Sequence, residues 1–403
     1  MKLRRFLIFL VGLSMPFNNV APIPNFSMGL FSSALYLLSL VSFMPNIKDI
    51  GRIHGKFVWN ILAYILFFTI VNIANQCGYN TPIFPFSMFM CFVLMLFLLV
   101  HSLIDKKALS YCMYGMAFGG ILMSIFFALG IGIEIGEDMR LVMFGENANA
   151  LGIYMGLSAI VILNDFILND ELKLKKFRFL FILAFIPIVG LLFATGSRTA
   201  FLIFALSIFA IIGFYPTKSA FGKIAFIVLG IVCCVYAFNK LMDSDSILIE
   251  RLTTTVEEGN TSGRDDITKS LIPYVFKSPI WGYGQTGYVD VAKKAIGKVS
   301  IFGDVVYGYS PHNVIMELLM YAGLIGLILW LIFWWNIGKE SWVLFKKERL
   351  LMAGLMCIPM LACILSGQLL TAKWAYILYA YIMSEYYYCR SENLYNETNS
   401  INH

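Results

Sequence analysis

The sequence predicts an all-α polytopic membrane protein with about twelve transmembrane helices and one large extracytoplasmic loop containing short helices. Three observations lead there: a composition too apolar for water, apolar blocks of bilayer length, and a one-sided distribution of Lys and Arg. The chain is 59% hydrophobic and 13% charged, whereas soluble proteins carry roughly 25% charged residues. Its apolar blocks run 16 to 24 residues, close to the ~20 a helix needs to cross a ~30 Å hydrocarbon core. The blocks are continuous, not alternating, which excludes a lipid-embedded barrel.

The blocks give spans at 6–22, 26–44, 57–75, 84–104, 108–130, 147–164, 179–195, 199–214, 224–239, 313–336, 350–370 and 374–389. Threading them from an inner N-terminus puts nineteen Lys and Arg in inner segments and three in short outer ones: Arg140, Arg198 and Lys373. The loop 240–312 exceeds the length at which loop charge governs insertion, so its basic residues do not count. Both termini are therefore expected inside and the loop outside. The chain reads as a single integral membrane domain, 1–403, with a polar tail at 390–403 expected to be cytoplasmic and disordered. Lys2, Arg4 and Arg5 before Phe6–Phe17 resemble a signal peptide, but no small-x-small cleavage site follows, so an uncleaved first helix is expected.

The net charge of +6 lies at membrane edges, which does not suggest nucleic acid. Eight cysteines sit mostly inside apolar blocks with no C-x-x-C, so neither a disulfide framework nor a zinc site is signalled.

Four outer features depart from plain lipid-facing helix. GENANAL (Gly145–Leu151) opens a span; Asn147 or Asn149 caps that helix or contacts a sugar. ATGSRTAF (Ala194–Phe201) places Arg198 near membrane level with no acidic residue within twenty positions. Its fork suits a phosphate, assisted by N–H groups at Gly196 and Ser197, or it snorkels to headgroups. In the long loop, Ser262 and Asp265 form a capping box, and Ile267, Leu271, Ile272, Val275 and Phe276 share one face. Arg264 in that helix's first turn either binds an anion or is neutralised by Asp265 and Asp266. Gly282-Tyr283-Gly284 lacks a following Gly-Lys-Ser/Thr and reads as a turn. In YSPHNVIMELLMYAGLIG (Tyr309–Gly326), His312 is the only outer histidine. It stands at a helix start, either as a general base with a lowered pKa or as a capping residue beside Asn313. A lone outer histidine argues against a metal site. Glu317, deeper in the same helix, is placed to orient or pair with Arg198 or Arg264.

These features, in this order, resemble the O-antigen ligase/polymerase superfamily of bacterial envelope glycosyltransferases. The resemblance rests on Asn147-Ala148-Asn149-Ala150-Leu151, the Gly196–Ala200 turn, Ser262-Gly263-Arg264, Pro279–Gly284, and His312-Asn313 with Gly323 beyond. It covers roughly Gly145–Gly326. The chain departs from the family pattern in having Ala148 where a proline is usual and acidic Asp265 after Arg264.

The resemblance implies transfer of a glycan from undecaprenyl diphosphate to an acceptor sugar, without metal or other cofactor, at the periplasmic face of the bacterial inner membrane. Arg198 and Arg264 would hold the pyrophosphate and His312 would deprotonate the acceptor hydroxyl. Asn147, Asn149, Ser197, Asn313 and Glu317 would make the substrate-binding surroundings. A polymerase would join lipid-linked repeat units, alongside a flippase and a chain-length regulator. A ligase would deliver finished glycan to lipid A–core or another acceptor. A lipid-linked glycan or solute transporter is the reading from a different class, but its charges would be expected near mid-membrane and its halves repeated.

Overall fold

The computed structural model describes residues 2–21, 27–75, 84–136, 140–168, 176–214, 263–302, 305–347, 351–365, 367 and 369–401. In chain order the helices are α1 (Lys2–Leu13), α2 (Met28–Ser39), α3 (Ile47–Ile53), α4 (Gly55–Ala74), α5 (Phe84–Ile104), α6 (Ala108–Ala128), α7 (Ala148–Val161), α8 (Arg178–Ala194) and α9 (Arg198–Phe214). They continue with α10 (Arg264–Lys277), α11 (Gly284–Ala295), α12 (Val314–Phe345), α13 (Leu351–Leu355), α14 (Cys357–Ala362) and α15 (Lys373–Ile401). Among the described residues, five helical segments are long and apolar enough to cross a membrane: α4, α5, α6, α12, and α7 with the π-helical turn Ile162–Leu168 that extends it. Exposed Trp59, Ile70, Phe179, Leu180, Phe209 and Trp335 are the apolar surface such a multi-pass protein offers to lipid.

Several expected spans are shorter than the sequence suggested. α2 has only 12 residues, because Ser27 caps its start and a 3-10 segment through Pro45 takes over after Leu40. The block 350–370 breaks into α13, α14 and a 3-10 turn. The span 224–239 lies outside the described residues. α15 runs to Ile401, so the tail expected to be disordered is helical over 390–401.

Close packing depends on small residues at crossings. A Cβ on Gly12 would come within 2.0 Å of the Cys112 carbonyl, and one on Gly115 within 2.1 Å of that of Phe9, so α1 lies against α6 at backbone distance. Ser158 Oγ of α7 donates to the Met116 carbonyl of α6 at 2.8 Å, and Gly152 of α7 abuts Ala200 of α9. On the other side, α4 and α12 join through aromatic rings, with Phe68 stacked on Tyr321 and Tyr64 edge-on to Trp330. Trp334 Nε1 donates to Tyr379 Oη at 3.1 Å and ties α12 to α15.

Two short antiparallel hairpins were not foreseen: β1 (Ile133–Ile135) with β2 (Leu141–Met143), and β3 (Val299–Phe302) with β4 (Val305–Gly308). Both are rich in β-branched residues, which fit a pleated surface. The second hairpin follows α10 and α11, so the described part of the long loop is itself folded.

The long loop is locked to the bundle at one seam. α12 is interrupted at Gly323 (φ 60°, ψ −160°), a conformation open to glycine and not to residues with a Cβ. The break presents backbone groups to Pro279–Tyr283: Tyr283 N–H donates to Met320 O at 2.7 Å, and Leu324 N–H to Pro279 O at 2.8 Å. Gly282 (φ 68°) sits so close that a Cβ would lie 2.6 Å from Gly323 N. Asn72 of α4 completes the attachment by accepting from Gln285 and Thr286 N–H at the start of α11.

Candidate active site

The residues assigned to the outer side gather at one end of the bundle, around the starts of α7, α9 and α12. Asn147 caps α7, its Oδ1 accepting from Asn149 N–H at 2.8 Å. Asn149 then works across helices: its Oδ1 accepts from Arg140 Nη2 at 2.7 Å and from Ser197 Oγ at 3.2 Å. Arg140 Nε also donates to the Thr195 carbonyl at 3.2 Å. Ser197 is fully buried and accepts from Ala200 N–H, a helix cap that sets the direction of α9. Arg198, the next residue, is half-buried at the first position of α9. The turn thus reaches the first asparagine motif through a side-chain hydrogen bond.

Asn313 caps α12, accepting from Ile315 and Met316 N–H at 2.9 and 3.2 Å. The preceding His312 has φ 51°, the left-handed region that a β-carbon disfavours. Its neighbours hold it there. His312 N–H donates to Ser310 Oγ at 3.1 Å, and Ser310 Oγ donates to Glu317 Oε1 at 3.0 Å. The Tyr309 ring stands edge-on at 5.5 Å, and Gly367 passes so near that a Cβ would lie 3.1 Å from His312 Cα. A non-glycine residue kept in this conformation by four surrounding groups is strain of the kind found at working sites. Burial and, after it, the Arg264 guanidinium push the imidazole below its ordinary pKa. His312 is therefore the neutral, proton-accepting form at neutral pH.

Arg264 starts α10, with Gly263 (φ 74°) at its N-cap. The expected capping box does not form the cap, since a left-handed glycine occupies that position; Ser262 lies outside the described residues. The predicted apolar face divides: Leu271 is buried, while Ile272 and Phe276 are exposed.

His312, Asn147 and Asn149 line one cavity of ≈780 Å³, enclosed by α2, α5, α7 and α15. Arg198 and Arg264 are not on its wall, and Ser197, Asn313 and Glu317 serve beside it as caps and supports. Three residues that the sequence reading did not single out belong to this end. Arg140 cross-links the two outer turns. Lys373 lines the cavity and donates to the Gly29 carbonyl at 2.5 Å. Glu146 is buried, with Oε2 lacking a hydrogen-bond partner among the described residues, and burial raises its carboxyl to about 7. The signal for the first two was present, since they are the other outer cations of an end almost cleared of them.

Residues 182–331 match the family model described as O-antigen ligase. That match supports the resemblance to the O-antigen ligase/polymerase superfamily over this part of the chain. The matched segment contains Ser197, Arg198, Arg264, His312, Asn313 and Glu317 and ends within α12, past the Gly323 break. The superfamily implies a lipid-linked glycan donor and an acceptor. No protein of curated function matches the chain.

Proposed function

We propose that this protein polymerises undecaprenyl-diphosphate-linked oligosaccharide repeat units at the periplasmic face of the bacterial inner membrane. Arg198 and Arg264 hold the donor pyrophosphate, and their charge stabilises the negative charge that grows as the sugar C1–O bond breaks. The acceptor hydroxyl attacks C1, its proton passes to the His312 imidazole, and the bond's electron pair leaves with undecaprenyl diphosphate. The two guanidinium groups supply the positive charge that a divalent cation supplies in other glycosyltransferases. The observation that carries this reading is His312: a neutral imidazole in strained backbone, beside Arg264, on the wall of a cavity it shares with Asn147 and Asn149.

The test is glycan synthesis by purified protein in a chelator-containing buffer, together with surface-glycan gels from the producing strain. Arg198→Ala and Arg264→Ala should each reduce turnover roughly 10²–10³-fold, and His312→Ala roughly 10²–10⁴-fold. Normal glycan ladders from all three variants would end the assignment.

The family description, O-antigen ligase, favours a second reading in which finished glycan passes to lipid A–core or another acceptor. A deletion strain separates the two. Single repeat units on lipid A–core mean a lost polymerase, whereas long chains left on the carrier mean a lost ligase.

A further inference from the structure

The exposed residues of α10 change character along the helix. Asp265, Asp266 and Lys269 are exposed near its start, Ile272 and Phe276 near its end, and Ile280 and Trp281 in the turn that follows. Phe276 is 77% exposed and Trp281 57%. Lys277 is the one basic residue among them, and it lies beside Asn75 in a cavity of ≈530 Å³ lined also by Asp290 and Lys294 of α11. In water, Ile272, Phe276, Ile280 and Trp281 would form an uncovered apolar strip.

Depth identifies what covers it. α4 has 20 residues, a rise of ~30 Å, which is the thickness of the hydrocarbon core. Lys56 stands at its inner end and Asn75 caps its outer end. The Trp281 ring stacks on Phe67 of α4, with centroids 5.7 Å apart and planes 28° from parallel. Phe67 precedes Asn75 by eight residues, so it lies ~12 Å inside the outer boundary. On the other flank, Leu324 and Ile325 N–H donate to the carbonyls of Pro279 and Ile280 at 2.8 and 3.4 Å. Beside these contacts stand Ile70 of α4 and Leu324 of α12, 65% and 47% exposed, so the strip is continuous with the lipid-facing surface of the bundle.

The turn is also built for that depth. Non-helical backbone is tolerated in hydrocarbon only where protein takes up its polar groups. Pro279 and Ile280 carbonyls accept from α12, and Tyr283 N–H donates to Met320 O. Gly282 N–H donates to Ser278 O at 3.1 Å, and Ser278 Oγ donates to Gly282 O at 2.8 Å. Lys277, beside Asn75, has its ammonium at the boundary, as a snorkelling lysine does.

We infer that α10 descends into the outer leaflet, and that Ile272, Phe276, Ile280 and Trp281 form a lipid-docking strip whose occupant is the acyl chains of bilayer phospholipid. The inference rests on the multi-pass reading of the chain and not on the glycosyl-transfer reading. It bears on the site all the same. α10 begins with Arg264, whose charge reaches the His312 imidazole, so the leaflet that holds this helix also sets the height of that cation.

The test is photolabelling of the full-length protein, one copy per nanodisc, so that no second copy can cover the strip. The probe is phosphatidylcholine with an aryl diazirine midway along one acyl chain, and labelled residues are located by mass spectrometry. Phe276, Ile280 and Trp281 should be labelled at the level of Ile70 and Leu324. Asp266 and Lys269, near the start of the same helix, should stay unlabelled. The pattern should persist in membrane vesicles from the producing cells. A strip left unlabelled while Ile70 and Leu324 react would place α10 in water and overturn the inference. Equal label on Asp266 and Lys269 would remove the descent. Label present in nanodiscs but lost in vesicles would assign the strip to a protein partner, a second copy included, and would overturn the inference too. None of these outcomes depends on whether Arg198, Arg264 and His312 carry out transfer.

Discussion

At the end of the bundle that the charge distribution assigns to the inside Arg5 meets Asp105, Lys56 meets Glu340 and Lys106 meets Glu392, whereas at the end assigned to the outside Arg140 and Lys373 donate to the carbonyls of Thr195 and Gly29. The first arrangement neutralises charge; the carbonyls of the second fix where the two cations lie. Histidines at both ends lie against tyrosines, His101 on Tyr36, His54 on Tyr387 and His312 on Tyr309, but of these three only His312 stands on the cavity wall, with Arg264 acting on its imidazole. Matched pairs at one end fix helix positions, and at the other the Lys373 ammonium stands on the cavity wall.

The contrast can be broken from the inner side first. Asp105→Ala removes a carboxylate that accepts from Arg5 at 2.5 and 2.9 Å. It leaves a half-buried guanidinium without that partner, and should cost about 2–3 kcal/mol of stability. A lower melting temperature in detergent with unchanged turnover per folded molecule is expected; lost turnover in stably folded protein would mean the inner pair is functional.

Glu146 sharpens the outer side. Its carboxyl, raised by burial from 4.5 to about 7, favours the fold fully below pH 4.5, and that contribution is lost as pH climbs through 7. Glu146→Gln should therefore flatten the pH dependence of melting between 4.5 and 7. At pH 8 it should be more stable than the native protein by on the order of 2 kcal/mol. Parallel melting curves would show that the carboxylate is solvated.

The smallest effect expected is a shift of a titration. The residual activity of Arg264→Gln should show the acid limb of kcat/KM displaced upward, because a nearby positive charge no longer opposes protonation of His312. An unmoved limb would separate Arg264 from the imidazole.

Local features of this site were legible in the sequence, and its long-range ones were not. Asn147, Ser197 and Asn313 stand where short polar residues precede apolar runs, and each caps the helix that follows. His312 was marked by being the only histidine on its side. The bond from Ser197 to Asn149 spans 48 residues, and the contact of Gly282 with Gly323 spans 41. Neither partner's identity encodes the other, so only the fold reveals the pair. The apolar pattern over 313–336 gave no hint of the break at Gly323, because hydropathy is blind to φ. It also overstated α2 and 350–370, where capping and proline end helices that composition alone would continue. Lys373 and Arg140 were counted for orientation, and that use concealed their place at the site.

The seam at Gly323 carries a consequence for how such a protein can diversify. Where Gly282 meets Gly323 it is a clasp of main chain against main chain, so there it tolerates little gradual adjustment. The cavity wall is the opposite: its asparagines, serines and leucines can be replaced one at a time. New specificities can thus accumulate in the lining while the frame that carries the imidazole stays the same.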